Sequence, residues 1–571
     1  MRTTIQKIEA AHGQRIIAVS DIHGHLNHLI QLLRKVNYSG NDILVIVGDL
    51  VDKGPDSLRT LQYVMELSDR EQVYVSMGNV DLHRLQFLTD ETEGADARFC
   101  QFVRWMKECW GGGLITDMMA DIGLLVDKLT EENAAEYRAR LRDYFHEEIA
   151  FLASRPVVLE SGRYIFVHGG LPTDDLTQVE GLPAEPFLKN DAFLKKEYFF
   201  ERYMVVGHWP VCLYDDQKEC VAPIFEQKKN IIAIDGGCGL KQVGQLNALL
   251  IPDQDAEMSE LSWEFFDEFP CAIALEDQEP VAPAIHIQYF DSEVELLEER
   301  GDMLLLRHLS SGREFLVPTG HTWQKMGLKI RGQEEPTTGE LHCDDYCDER
   351  LEIKAGDELS VIWETSIGCY VKCRGRIGWY CGPMEKRSET LELVVGRPHD
   401  TKYRRERELT TYDLLDRLEM NYSRIDHGEA KTMEACAAVD EKLDAVICKN
   451  LFLRNQQKTK FYLLMMPGDK KFKTKELSKQ INSARLSFAE PEFMQKFLHI
   501  SPGSVSVMGL MNDTENQVQL LIDRDVLNGE YFGCHPCVNT SSLRISLKEL
   551  TEVFLPAIHH EPVFVDLTGE G

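Results

Sequence analysis

Within the first 210 residues of this 571-residue chain, five short apolar runs each end in residues that can bind a metal ion. I-I-A-V-S runs into Asp21 and His23, I-L-V-I-V-G into Asp49, V-Y-V-S-M-G into Asn79, Y-I-F-V into His168, and M-V-V-G into His208. Apolar runs closed by polar residues read as buried strands whose carboxyl-end loops converge on a site. A lone buried His or Asp is usually structural, but five coincidences of strand and ligand reverse those odds. The i, i+2 spacing of Asp21 and His23 lets both reach one metal. Asp49 is the expected bridging carboxylate, and Asn79, His168 and His208 are assigned to a second metal. Two cations about 3.5–4 Å apart lower the pKa of water and neutralise a transferring phosphoryl group, so this donor set points to phosphate-ester hydrolysis.

The same residues lie in S-D-I-H-G-H, G-D-L-V-D-K-G, G-N-V-D, V-H-G-G-L and V-G-H-W-P, with C-W-G-G-G-L-I-T at 109–116. Over about residues 14–252 these stretches resemble the phosphoprotein phosphatase branch of the calcineurin-like metallophosphoesterases. The resemblance implies an α/β/β/α sandwich, two divalent ions (Mn²⁺, or Fe with Mn or Zn) and in-line attack by activated water. Two departures stand out. The family's third motif carries a histidine, oriented by the second Asp of the preceding motif and taken as the general acid; here that position is Val80, and Asp52 keeps its place without its usual partner. Proton donation contributes about 10²–10⁴-fold, so its loss weighs most on poor leaving groups such as a serine alkoxide. His25 and His83 are the available stand-ins, or else ordinary surface histidines. The second departure is Lys53 where the family has Arg; a lysine binds phosphate as a point charge and cannot form the bidentate fork. Phosphomonoesters, diesters and nucleotide anhydrides all stay open as substrates, whether phosphorylated small molecules, nucleotides or phosphoproteins.

The acidic balance is uneven. Residues 401–571 carry 22 Lys+Arg against 25 Asp+Glu, whereas residues 1–400 carry 40 against 69. An envelope that acidic repels a phosphate backbone, which argues against DNA as a partner of the first part. Fifteen cysteines without a repeated C-x-x-C spacing read as reduced thiols; Cys343 and Cys347 are the nearest thing to a metal-binding pair. No apolar run approaches the roughly 18 residues of a membrane span and the N-terminus lacks a secretory layout, so the expected compartment is cytoplasmic.

Three segments are expected. Residues 1–254 form the α/β part, with helices inserted at 125–155. Residues 255–400 are β-rich, with a small barrel similar to Src-homology domains at about 340–398 (L-E-I-K-A-G-D-E-L-S-V-I-W, then G-R-I-G-W-Y). Residues 401–571, beyond the charged linker at 398–407, mix α and β again. In this last segment C-K-N-L-F-L-R-N (448–455), F-Y-L-L-M-M-P-G-D-K-K (461–471), R-L-S-F-A (485–489), S-P-G-S-V-S-V-M-G-L-M-N-D (501–513) and G-C-H-P-C-V-N-T-S-S (533–542) resemble the prolyl-tRNA editing family of aminoacyl-tRNA deacylases. The resemblance implies hydrolysis of the ester joining alanine to tRNA for proline, with a small pocket as a steric sieve.

Lys449 would supply a cation at an ester carbonyl or terminal phosphate, and the turn holding Gly533, His535 and Pro536 would bring backbone N–H groups to the ligand, beside Asn450. Taken alone, Lys449 is a solvated strand-end lysine and the turn is merely a turn; His427 is read as structural. Three readings of the whole follow: two enzymes in one chain, a phosphoesterase with a binding module for an aminoacyl-tRNA acceptor end, or an editing enzyme on a metal-stabilised scaffold.

Overall fold

A computed structural model describes the chain except for residues 216, 325–340, 388–392, 399–403, 428–438, 469, 501–502 and 569–571. Parts of the expected linker (399–403), of the middle β region (325–340), and of the S-P-G and P-G-D motifs therefore lie outside the described residues. Two compact units emerge, Met1–Arg387 and Ser388–Gly571; the first unit takes in the first expected segment and the second up to residue 387, and residues 388–400 go with the second unit.

Four of the apolar runs of the first unit are strands buried over their whole length, as parallel strands covered on both faces must be, and in Val73–Ser76 only Tyr74 is half-buried. Ile16–Val19, Ile43–Val47 and Val73–Ser76 pair in parallel, and Leu246–Ile251 and Ser262–Phe266 extend that sheet antiparallel beyond Ile16–Val19. Ser262–Phe266 carries the first sheet past the expected boundary at residue 254. A six-stranded second sheet runs Ile5–Lys7, Val158–Ser161, Tyr164–Val167, Tyr203–Val206, Ile231–Ala233, Ile224–Glu226.

Period-two alternation sorts each strand's side chains between faces. Ile16, Ala18, Val45 and Val47 of one sheet share an apolar layer with Leu159, Tyr164, Phe166, Val205 and Ile232 of the other. The opposite face of the second sheet, through Val158, Ile165, Val167, Met204 and Val206, packs against Leu171, Phe187 and Phe193. Helix Leu26–Lys35 buries Leu26, Leu29, Leu32 and Leu33, the i, i+3, i+6, i+7 stripe of an amphipathic helix. The expected inserted helices are Ala134–Tyr144 and His146–Ala153, preceded by Ala95–Trp110 and Leu114–Asp121.

The rest of the first unit is β-rich. One five-stranded sheet orders Arg376–Tyr380, Gly368–Cys373, Glu358–Thr365, Cys271–Ala274, Met384–Lys386; it takes one strand from outside the window in which a small barrel was expected. Another orders Glu314–Pro318, Met303–His308, Glu293–Arg300, Leu341–Cys343, Thr322–Gln324.

In the second unit a mixed sheet places Val446–Asn455 between Tyr531–Cys534, its parallel neighbour, and Phe461–Pro467, its antiparallel one. Leu463, Met465, Phe452 and Phe532 point into one apolar cluster, while Leu453, Tyr462, Leu464 and Met466 point into another, so this sheet too is covered on both faces. Among the described residues no helix is long and apolar enough to cross a membrane.

Candidate metal centre and editing site

Three of the five turns after site-bearing strands of the first unit are tight. Asp21, His23, Asp49 and His208 have φ of 53°, 49°, 52° and 69°, and Asp52 and Lys53 follow at 67° and 69°. Left-handed backbone at a non-glycine residue costs on the order of 1–3 kcal/mol and persists only where surrounding contacts over-determine it. Those contacts are present. A Cβ on Gly78 would stand 2.1 Å from the Asp49 nitrogen, so only glycine lets the two loops close on each other.

The side chains so aimed converge. His168 Nε2 lies 3.4 Å from Asp49 Oδ2 and 3.0 Å from Asn79 Oδ1, and His23 Nε2 lies 3.7 Å from Asp49 Oδ2 and 3.8 Å from Asp21 Oδ1. Reactive atoms of Asp21, Asp49 and His168 all fall within 4.8 Å of one another. The other nitrogen of each imidazole faces a backbone carbonyl, His23 Nδ1 at Val51 (3.2 Å) and His168 Nδ1 at Val47 (2.9 Å). A ring N–H donated there turns each Nε2 inward, the orientation a metal ligand needs. His208 joins differently. Its backbone N–H donates to Asp21 Oδ2 (3.0 Å), its ring centroid is 5.3 Å from that of His168, and its Nε2 is 2.8 Å from Asp191.

The electrostatics ask for a cation. Burial and then the neighbouring Asp235 push the Asp21 carboxyl well above the usual range. Burial opposes ionisation of Asp49 as well, but His168, His23 and Lys53 outweigh it and hold that carboxyl well below the range. Burial and His168 lower His208 to about 4. Asp21 Oδ1 and Asp235 Oδ2 are buried and accept no hydrogen bond. Orphaned carboxylate oxygens among imidazole nitrogens form a donor set suited to hard or borderline divalent metals. Lys53 Nζ reaches into the same cluster, 2.9 Å from His23 Nε2.

Asp52 has found another partner. Its carboxylate forms a buried ion pair with Arg84 and also accepts the Leu114 N–H at 2.7 Å. Arg84 stands one helical turn beyond Val80 on helix Asn79–Thr89, with its guanidinium 4.4 Å from the Phe102 ring centroid. Val80 itself is buried, and its backbone N–H donates to Asp49 Oδ1 at 2.8 Å. Of the stand-ins, His25 clusters with His28 and Cys238, and His83 is lowered by burial and then by Arg84. Cys343 and Cys347 do not form a metal-binding group among the described residues.

Asp191, Asp235 and Arg84 escaped the sequence reading. Asp235 was the most legible of the three, since it closes the run I-I-A-I as the other candidate donors close theirs.

In the second unit the register Val446↔Phe532, Ile447↔Gly533 brings Lys449 and His535 to matching positions just past the paired stretch. Lys449 is exposed, and its Nζ donates to the Lys470 carbonyl at 3.0 Å. Asn450 Oδ1 is buried and accepts no hydrogen bond. His535 Nδ1 lies 2.9 Å from the Ser541 carbonyl, and burial lowers its pKa, so the ring stays neutral. Gly533 sits in the ladder opposite Arg544, and Pro536 is buried. His427 pairs with Ser542 Oγ at 3.0 Å.

Two sheets that converge carboxylates and imidazoles at their strand ends, and a separate editing-type unit, describe a hydrolase of two parts. The profile of the calcineurin-like phosphoesterases matches residues 14–235, and that of the aminoacyl-tRNA editing domain matches residues 427–553. The prolyl-tRNA editing protein ProX of Acetoanaerobium sticklandii is 33% identical over 140 residues, covering 24% of this chain and 85% of its own. The zebrafish (Danio rerio) prolyl-tRNA synthetase associated domain-containing protein 1 is 30% identical over 155 residues, covering 27% and 83%. A symmetrical bis(5'-nucleosyl)-tetraphosphatase of Escherichia coli is 30% identical over 225 residues, covering 36% and 72%. The chain belongs to the calcineurin-like phosphoesterases through its first unit and to the prolyl-tRNA editing family through its second.

Proposed function

We propose that the first unit is a two-metal hydrolase of nucleotide phosphoanhydrides, and that the second deacylates alanyl-tRNA for proline. The observation that carries the first half is the ion pair between Asp52 and Arg84 beside Val80. With its orienting carboxylate committed to a guanidinium and Val80 in place of the histidine, the site has no imidazole held by Asp52 to protonate a poor leaving group. A phosphate leaving group needs no such proton, so anhydrides suit this site better than phosphoserine. The E. coli relative carries by name an activity on bis-nucleosyl tetraphosphates, in line with this preference.

Asp21, His23 and Asp49 would hold one Mn²⁺ or similar ion, and Asn79, His168 and His208 the other, with Asp49 between them and Asp235 as a further carboxylate. Such ions supply charge neutralisation and a lowered pKa of water. The chain's own residues do the rest. Val51 and Val47 fix the imidazole tautomers, and Lys53 places a positive charge where a phosphoryl oxygen arrives. In the second unit Lys449 offers a cation beside Asn450, while Gly533, His535 and Pro536 line the turn that would receive the aminoacyl ester.

The test is a rate comparison with Mn²⁺ on a dinucleoside tetraphosphate, p-nitrophenyl phosphate and a phosphoserine peptide, with Asp49→Asn as control. Preference for the anhydride supports the proposal, and faster hydrolysis of phosphoserine overturns it. For the second unit, alanyl-tRNA for proline should lose its alanine in the presence of the wild-type chain and not of Lys449→Ala.

A further inference from the structure

We propose that a cavity between the phosphoesterase part and the β-rich part of the first unit binds the purine base of the nucleotide whose phosphates occupy the metal centre. This deepens, and rests on, the nucleotide reading above.

The cavity has a volume of about 200 Å³ and is lined by Lys241, Gln242, Tyr289, Trp323 and Asp344 among others. That is well under the roughly 300–1,000 Å³ of sites for drug-sized ligands, so it suits one ring system and not a whole dinucleotide. Two segments carry residues of both the cavity wall and the surroundings of the metal centre. The loop after Ile231–Ala233 passes Gly239 against His23 and His25, where a Cβ would stand 3.2 Å and 3.0 Å away, and the next residue, Leu240, already lines the cavity. On the other side Trp209, the neighbour of His208, stacks on Phe290 (6.0 Å, 12°), and the adjacent Tyr289 lines the cavity.

The walls have base-binding chemistry. The Tyr289 and Trp323 rings lie 14° from parallel with centroids 6.4 Å apart, and Trp323 is held by stacking on His342 at 4.4 Å. Aromatic faces stack on any base, contributing roughly five- to a hundred-fold in affinity. Asp345 is already committed, to an ion pair with Lys241 and to the Tyr289 N–H at 2.7 Å, so it fixes the wall. Asp344 and Gln242 also line the cavity and can meet a ligand edge, and a carboxylate accepts from the exocyclic amino group of a purine. With Asp345 balanced by Lys241, the Asp344 carboxylate is left to disfavour a phosphate here, so the nucleotide would sit with its base in the cavity and its phosphates at the metals.

The decisive measurement is calorimetric titration of the Mn²⁺-loaded full-length chain with GMP, AMP and ribose 5-phosphate. At least one purine nucleotide should bind about tenfold or more tightly than ribose 5-phosphate. Tyr289→Ala should erase most of that advantage while leaving the affinity for ribose 5-phosphate unchanged; Tyr289 is 60% exposed, so its removal spares the core. Trp323→Ala should do the same. A wild-type chain that binds all three ligands alike overturns the proposal, and so does an advantage that survives both variants. Because the readout is binding, a chain that hydrolyses no anhydride would refute the functional reading without deciding this comparison.

Discussion

The two sites solve the placement of reactive groups in opposite ways. The front site gathers buried like and unlike charges at strand ends and holds Asp21, His23, Asp49 and His208 in left-handed backbone. The rear site leaves Lys449, Asn450 and Gly533 in regular β-ladders, with an exposed lysine and a neutral histidine. Strain and concentrated charge are tolerable where a cation can tie the groups together. Recognition by shape and backbone donors needs neither. The front site should therefore be the more sensitive to charge, and the rear site the more sensitive to geometry.

The sharpest way to break this contrast is Asp49→Asn. Losing the central carboxylate should lower Mn²⁺-dependent phosphoesterase activity by at least about 10³-fold, beyond what a single transition-state donor contributes, and should leave deacylation intact. A loss in both activities would show that the units are not chemically independent. Next in size is Arg84→Met. It strands the buried Asp52 carboxylate, and breaking a buried pair from one side costs about 3–5 kcal/mol, to be measured as lowered stability of the first unit in urea unfolding. Lys449→Ala should then reduce deacylation by about 10²-fold with little change in stability, since the side chain is exposed.

The smallest effect is one of pH, and it belongs to the rear. Burial lowers the pKa of His535, so the unfolded chain binds a proton that the folded chain does not. The resulting stability is complete above the unfolded value near 6.5 and is lost as pH falls through the folded value. The melting temperature of the second unit should drop on going from pH 7 to 5, and drop less in His535→Asn.

Much of both sites was legible as pattern. An apolar run closed by Asp, Asn or His marks a strand end whatever follows it, so the positions of six candidate donors and the inserted helices could be read directly. Arg84 could not. Nothing in N-V-D-L-H-R says which face of that helix meets Asp52, and only the packing of Met106 and Phe102 around the guanidinium decides it. Asp191 was hidden for a related reason: it lies in a loop with no apolar run before it, and reaches His208 only because the fold brings the two together. The β-rich middle was readable as strands but not as pairings. Cys271–Ala274 joins a sheet whose other members lie some ninety residues onward, between Glu358 and Lys386.

What the sequence determined alone was local: which segments become strands, which residues stand at their ends, and hence which donors are available. Those choices depend on side-chain periodicity and turn chemistry, which act over a few residues. The tertiary structure decided which donors meet, which carboxylate is given to an arginine, and where a cavity opens between two layers. Such choices depend on contacts between residues far apart in the chain, whose partners are named only once the backbone has closed around them.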